Sequence, residues 1–151
     1  MQLDEVSVII GLDWADRTHV CCLYQWDGTR QATVKVDAAP EPFGAWLEKI
    51  EGEHPAGRIV VAVERDDGAV VEIMRARARW LVVAVNPVVL HRFRQAFAPS
   101  GAKDDPGDAA LLGEIVLTHA GKFAALPVPD ERLVQLAALV QQRRHWLDTR
   151  T

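Results

Sequence analysis

The sequence predicts an α/β domain in which helices cover the faces of a mixed β-sheet. Three observations predict this class. Three extended segments follow one another near the N-terminus, helices and strands alternate after them, and several strands are apolar on both faces. The chain has 151 residues, of which 49% are hydrophobic and 25% charged, so it suits one compact domain and is untypical of disordered or fibrous proteins.

The first three elements form an antiparallel meander by pattern. Residues 6–12 are apolar on both faces and rich in β-branched side chains, as in a central strand. Two further strands are predicted over 19–26 and 30–36, and Asp27 and Gly28 between them form a favoured hairpin turn. These connections are too short for the crossovers that parallel strands need, which argues against a doubly wound parallel fold.

Helices and strands alternate in the rest of the chain. The spacing of apolar residues predicts two short buried strands over 58–63 and 80–85, and helices over 40–50, 68–78, 88–96, 105–120 and from 129 onward. This order fits the ribonuclease-H-like architecture. The last predicted helix has no stop signal before residue 151, so we expect the chain to be the N-terminal piece of a longer polypeptide.

Charge and cysteine content restrict the class of protein. The formal net charge is −4, from 17 basic and 21 acidic residues, whereas a domain that holds nucleic acid by charge alone should be basic. The adjacent Cys21 and Cys22 form no disulfide framework and no cysteine-rich zinc spacing. The first apolar run is too short for a signal peptide or a membrane span. We therefore expect a soluble, cytoplasmic protein without a membrane partner.

Four acidic residues stand out by position. Asp13 ends the first buried strand, Glu64 follows the strand over 58–63, and Asp105 and Asp108 are one helical turn apart. If the two strands are neighbours, their carboxyl ends open into one crevice. Converging carboxylates repel one another unless divalent cations neutralise them. Oxygen ligands suit Mg²⁺ or Mn²⁺, and a pair of such ions can support phosphodiester cleavage.

Local alternatives exist for each of these acids. Asp13 and Glu64 can be turn or capping residues at strand ends. Asp105 followed by Pro106 is also typical of a helix start, with Asp105 as the N-cap and Asp108 at the third helical position. The spacing alone leaves capping and metal binding open.

Several basic residues are candidate nucleic-acid contacts. Lys103 precedes the acidic pair and can contact a phosphate or moderate the carboxylate cluster. Arg92, Arg94, Arg143 and Arg144 lie on predicted helices. The alternative for each is an exposed, solvated charge. Trp14 directly follows the first acid and can stack on a base, although core packing is the commoner role of such a residue.

Three segments resemble successive blocks of the DEDD transposases of the insertion sequence 110 family, which includes the pilin-gene invertases. They are VIIGLDWADRTHVCCLYQWDG, VVAVERDDGAVVE and VVAVNPVVLHRFRQAFAPSGAKDDPGDAALL. The resemblance runs over nearly the whole chain, and SGAKDDPGDA is its most specific part. It implies that the acidic tetrad of the family falls on Asp13, Glu64, Asp105 and Asp108, with all four as catalytic residues and metal ligands.

The resemblance also implies a domain organisation and partners. Residues 1–125 would form a RuvC-like domain that binds Mg²⁺ or Mn²⁺, and residues 126–151 would begin a coiled coil. The family's C-terminal domain, with its catalytic serine, lies outside this chain. The implied partners are the DNA of the element ends and target, a structured guide RNA in some members, and further copies of the chain. The implied location is the nucleoid.

Three functions follow as hypotheses. The leading one is the N-terminal domain of a transposase or recombinase that cleaves and exchanges DNA strands with Mg²⁺, and whose isolated fragment is inactive. The second is an RNA- or DNA-binding assembly module without activity of its own. The third is an ATP-binding domain like those of actin and the sugar kinases, which also open with an apolar strand and a hairpin. That class requires glycine-rich phosphate loops, and none follows Asp13.

Overall fold

The computed structural model describes residues 1, 3–97 and 107–127, together with residues 132, 135, 136, 139, 140, 142, 143 and 147. Its elements, in chain order, are β1 (Val6–Asp13), β2 (Thr18–Tyr24), β3 (Arg30–Asp37), α1 (Pro40–Glu53), β4 (Arg58–Val63), α2 (Ala69–Arg75), β5 (Trp80–Ala84), α3 (Pro87–Phe97) and α4 (Asp108–Thr118), followed by a short 3₁₀ helix, Ala120–Lys122.

The strands form one five-stranded mixed sheet in the order β3-β2-β1-β4-β5. Strands β1, β2 and β3 pair antiparallel, whereas β4 runs parallel to both β1 and β5. The predicted meander is confirmed, and its hairpin turn is closed by the Asp27 side chain, whose Oδ1 accepts a hydrogen bond from the Thr29 N–H at 2.9 Å. Gly28 has a φ of +93°, which glycine adopts without steric cost. The predicted mixed sheet with helices is therefore confirmed.

The central strand β1 is buried on both faces because helices cover both sides of the sheet. Its even-numbered residues, such as Ile10 and Leu12, pack in a core with α1 and α2. Ile9 faces the opposite core, which α3 and α4 cover. This arrangement explains why the strand is apolar without alternation.

Helix α4 packs unusually close to β1 because glycine stands at the point of contact. A Cβ atom built on Gly11 would lie 1.8 Å from the carbonyl oxygen of Ala109 and 2.7 Å from the amide nitrogen of Gly113. Tyr24 fixes the same helix from β2, since its hydroxyl donates a hydrogen bond to the Ala110 carbonyl at 3.0 Å. These contacts position the first turn of α4 beside the end of β1.

The start of α4 differs from the prediction. The helix begins at Asp108, and Gly107 is its N-cap with an extended backbone (φ −60°, ψ 161°). Asp108 is therefore the first helical residue and not the third, so the predicted helix start at residue 105 was wrong and the alternative with Asp105 as the N-cap of this helix does not hold. Glycine loses more conformational entropy in a helix than other residues and is favoured at the cap, so the helix starts after it. Asp105 and Pro106 lie outside the described residues.

The structure describes only some residues of the predicted last helix. Those described between 132 and 147 are helical and exposed, and they include Leu136, Leu139, Val140 and Leu147. No helix within the described part of the chain is both long and apolar enough to cross a membrane.

Candidate active site

Asp13 and Glu64 lie side by side at one edge of the sheet. Gly11 of β1 pairs with Ala62 of the parallel strand β4, and the two acids each follow two residues later. A surface cavity of about 220 Å³ opens at this point, lined by residues 12–16, Glu64 and Arg65. The two strands are neighbours, which was the condition for a shared crevice, and both acids line it.

Asp108 approaches the same edge from α4. Its charge is close enough to act on Asp13: burial raises the pKa of the Asp13 carboxyl above its ordinary value, and the negative charges of Asp108 and Glu64 raise it further. The positive charge of Arg94 opposes this rise in pKa. Three of the four predicted acids therefore share one electrostatic environment, and Asp105 lies outside the described residues.

The donor set suits a hard divalent cation, although the described residues do not form a closed metal cage. Within the described ranges, no three His, Cys, Asp or Glu side chains are arranged to hold one ion. The carboxylates of Asp13, Glu64 and Asp108 offer only oxygen atoms, which Mg²⁺ and Mn²⁺ prefer. The repulsion that raises the pKa of Asp13 is what a bound cation would relieve. By donor chemistry and charge, the residues fit such an ion.

Asp108 is engaged by Arg94 of α3. The guanidinium donates two hydrogen bonds, from Nε to Oδ1 at 3.0 Å and from Nη2 to Oδ2 at 2.9 Å. The pair is partly exposed, with 42% of the Arg94 side chain and 30% of the Asp108 side chain accessible. In this structure the predicted nucleic-acid contact at Arg94 is thus an ion-pair partner of the candidate site.

Comparison with known proteins now identifies the family. The family model for the DEDD transposases of the IS110 group, described as "Transposase", matches residues 10–151. The chain belongs to the IS110 family of DEDD transposases. It is 31% identical over 147 residues to a protein of Streptomyces coelicolor named for the mini-circle transposase of IS117, covering 95% of this chain and 35% of that protein.

A second relative supports the same assignment, and a solved structure has a similar fold. The chain is 32% identical over 136 residues to a protein of Sinorhizobium fredii named as transposase y4uE, covering 88% of this chain and 38% of that protein. The chain thus spans well under half the length of both relatives. Its fold is similar to that of RuvC from T. thermophilus, solved in complex with a Holliday junction substrate, with a TM-score of 0.51, 17% identity, and coverage of 79% of this chain and 99% of RuvC. The predicted RuvC-like, ribonuclease-H-like fold is confirmed.

Arg65 and Trp14 form the rim of the candidate site in this IS110-family chain. The guanidinium of Arg65 lies 5.3 Å from the centre of the Trp14 ring, a cation–π arrangement, and pairs with Asp67 at 3.2 Å. Trp14 also packs partly against the core, in agreement with the commoner of its two predicted roles. Arg65 was not identified as a site residue from the sequence. Its position directly after Glu64 was the one feature that could have indicated it.

His19 supports the loop that follows the first acid, Asp13. It is 1% exposed, and its Nδ1 accepts a hydrogen bond from the Ala15 N–H at 3.1 Å. Its ring meets Phe43 edge-on at 5.1 Å, and Nε2 has no hydrogen-bond partner among the described residues. No sequence pattern identifies this hydrogen bond, because the folded structure sets which backbone atom the ring meets.

His19 is expected to make the stability of the domain pH-dependent. Burial lowers the pKa of His19 below its ordinary value of 6.5, and the nearby charge of Asp37 opposes this only in part. The unfolded chain therefore takes up the proton more readily, so the free energy of unfolding should fall as pH drops below about 6.5. Urea unfolding at pH 7.5 and pH 5.5 measures the loss. His19→Asn keeps an acceptor for Ala15 and should show a smaller loss, and an equal loss in both proteins would contradict this origin.

The remaining predicted basic contacts are only partly described. Arg92 on α3 and Arg143 are exposed. Lys103 and Arg144 lie outside the described residues.

Proposed function

We propose that residues 1–125 form the metal-dependent catalytic domain of a DNA transposase, which cleaves and exchanges strands at the ends of an insertion sequence and at its target. The observation that carries this proposal is the juxtaposition of Asp13 and Glu64 at the carboxyl ends of two adjacent parallel strands, with Asp108 beside them. Membership of the IS110 family supports the choice of DNA as substrate.

Asp13, Glu64 and Asp108, together with Asp105, would hold Mg²⁺ or Mn²⁺ at this edge. When bound, such ions activate a nucleophile and stabilise the leaving oxygen of a phosphodiester. The chain supplies the geometry. The β1–β4 pairing sets the spacing of the first two acids, and the close packing of Gly11 against α4 sets the height of Asp108 above the sheet.

Exposed cations would hold the DNA backbone. Arg65 on the cavity rim and Arg92 on α3 are exposed, and a phosphate oxygen accepts from guanidinium groups with good geometry. We include Lys103, Arg143 and Arg144 in this proposed contact surface. A guide RNA as a further partner, self-association through a coiled coil that begins within 126–151, and a location at the nucleoid belong to the same proposal.

Metal removal tests this function. In a protein of the length of its relatives, cleavage of DNA that carries the element ends should require Mg²⁺ or Mn²⁺ and should cease when EDTA is added. It should resume when the cation is restored in excess of the chelator. The readout is the appearance of nicked or cleaved DNA on a denaturing gel. Cleavage at an unchanged rate in EDTA would refute the proposal.

A second candidate function has its own support. The chain covers 35% and 38% of the two relatives, so a role of this part in binding and assembly, without activity of its own, is consistent with the share of the relatives that it spans. For the 151-residue chain alone we expect weak ion binding and no cleavage, and robust cleavage by this chain would contradict the second role. The family and fold favour both candidates over the ATP-binding alternative.

A further inference from the structure

The pair formed by Arg94 and Asp108 connects two helix ends at the candidate site. Arg94 lies in the last turn of α3, where the helix dipole favours a cation, and Asp108 is the first residue of α4, where it favours an anion. Both bonds of the pair are direct, so the guanidinium engages each carboxylate oxygen. The segment that joins the two helices begins after Phe97 and ends before Asp108, so the pair also fixes the two ends of this connection relative to each other.

The Arg94 guanidinium also affects the pKa of the neighbouring acid, Asp13. Its positive charge opposes the effects of Asp108 and Glu64 on Asp13, so it partly neutralises the group of carboxylates as a whole. Without a counter-charge, three carboxylates at one sheet edge would repel one another and move apart. Arg94 thus offsets part of the negative charge at this edge of the sheet.

A divalent cation and the Arg94 guanidinium cannot both bind the Asp108 carboxylate with good geometry. The bidentate pair uses a lone pair on each carboxylate oxygen and fixes the plane of the group. Mg²⁺ requires near-ideal octahedral geometry, so it tolerates little misorientation of a ligand. A cation bound to the same carboxylate would also be repelled by the guanidinium charge at close range.

We propose that Arg94 is a positioning residue that acts as the built-in counter-ion of Asp108 and is displaced from it when a divalent cation binds. Arg94 then lowers the affinity for the cation, because part of the binding energy is used to break the ion pair. This inference rests on the proposed function, since it requires that Asp108 is a metal ligand. It adds to that function a residue, Arg94, that sets how tightly the site binds the cation.

The test compares Mn²⁺ affinity in the 151-residue chain by isothermal titration calorimetry. Arg94→Met is expected to bind Mn²⁺ about fivefold more tightly than the unmodified chain, the factor that a partly exposed ion pair contributes. The matched control is Arg77→Met, which removes a similar bidentate pair with Glu51 (2.6 and 3.0 Å) at another edge of the fold. Arg77→Met should leave the Mn²⁺ affinity unchanged.

A second variant keeps the test decisive if Arg94→Met does not fold. Arg94→Lys retains the charge but cannot form the two-point fork, so it should tighten Mn²⁺ binding by a smaller factor. Unchanged or weaker binding in whichever Arg94 variant folds would overturn the inference, because Arg94 would then be a bystander or a support of the ligand. If the unmodified chain binds Mn²⁺ and Asp13→Asn does not, the proposed function stands regardless of that result. An unmodified chain that binds no Mn²⁺ would overturn both.

Discussion

Replacing Gly11 by alanine is expected to unfold the domain or to force α4 away from the sheet. The new Cβ atom would lie 1.8 Å from the Ala109 carbonyl oxygen and 2.7 Å from the Gly113 amide nitrogen, and both are backbone atoms that no rotamer change can move. The sheet and helix would have to separate along β1, which is buried on both faces. We expect a loss on the order of 4 kcal/mol or more in the free energy of unfolding.

Urea unfolding followed by circular dichroism measures this loss, and soluble yield reports it where the variant cannot be purified. The matched control is Gly44→Ala in α1, where the added methyl group meets no atom within 4 Å. Because glycine is a poor helix former, this control should be neutral or stabilising by about 0.5–1 kcal/mol. A Gly11→Ala protein with unchanged stability would show that α4 does not pack against β1 at this distance.

Asp13→Asn and Glu64→Gln are expected to reduce DNA strand cleavage by a protein of the relatives' length on the order of a thousandfold each. Each change keeps the size of the side chain but removes the negative charge that would hold a cation at the sheet edge. The rate of product formation under single-turnover conditions with Mg²⁺ is the appropriate measurement. Activity within a fewfold of the unmodified protein would refute the assignment of these acids.

The matched control for these two variants is Asp66→Asn. Asp66 is an exposed acid two residues after Glu64, and Asp66→Asn should leave the rate of cleavage unaltered.

The thermal stability of Asp13→Asn provides a second check. The pKa of Asp13 is raised by burial and by its acidic neighbours, so the folded state disfavours the ionised side chain. Asp13→Asn should therefore melt at the same temperature as the unmodified chain or above it, which separates lost activity from unfolding.

The Arg94–Asp108 pair and the His19–Ala15 hydrogen bond support the candidate site from neighbouring residues. The first governs the charge next to the carboxylates, and the second governs the backbone that follows Asp13. They involve different elements and share no residue.

The amino-acid sequence by itself determined the fold class, the order of the elements and the position of the first two acids. These properties depend on local patterns. A continuous apolar run marks β1 and β4 as buried strands, and the turn at Asp27 and Gly28 commits the first strands to a meander. Parallel neighbours end at the same edge, so the sequence brought Asp13 and Glu64 to one crevice only on the condition that β1 and β4 are neighbours, and the structure meets that condition.

Only the tertiary structure decided which side chains surround those acids. Arg94 and Asp108 pair across two helices, His19 accepts a hydrogen bond from a backbone amide of the preceding loop, and Arg65 lies over Trp14. The start of α4 at Asp108 was likewise decided by the conformation of Gly107. A hydrogen bond or ion pair depends on distances of a few tenths of an ångström between elements, and those distances are set by packing of the whole core rather than by any local pattern of residues.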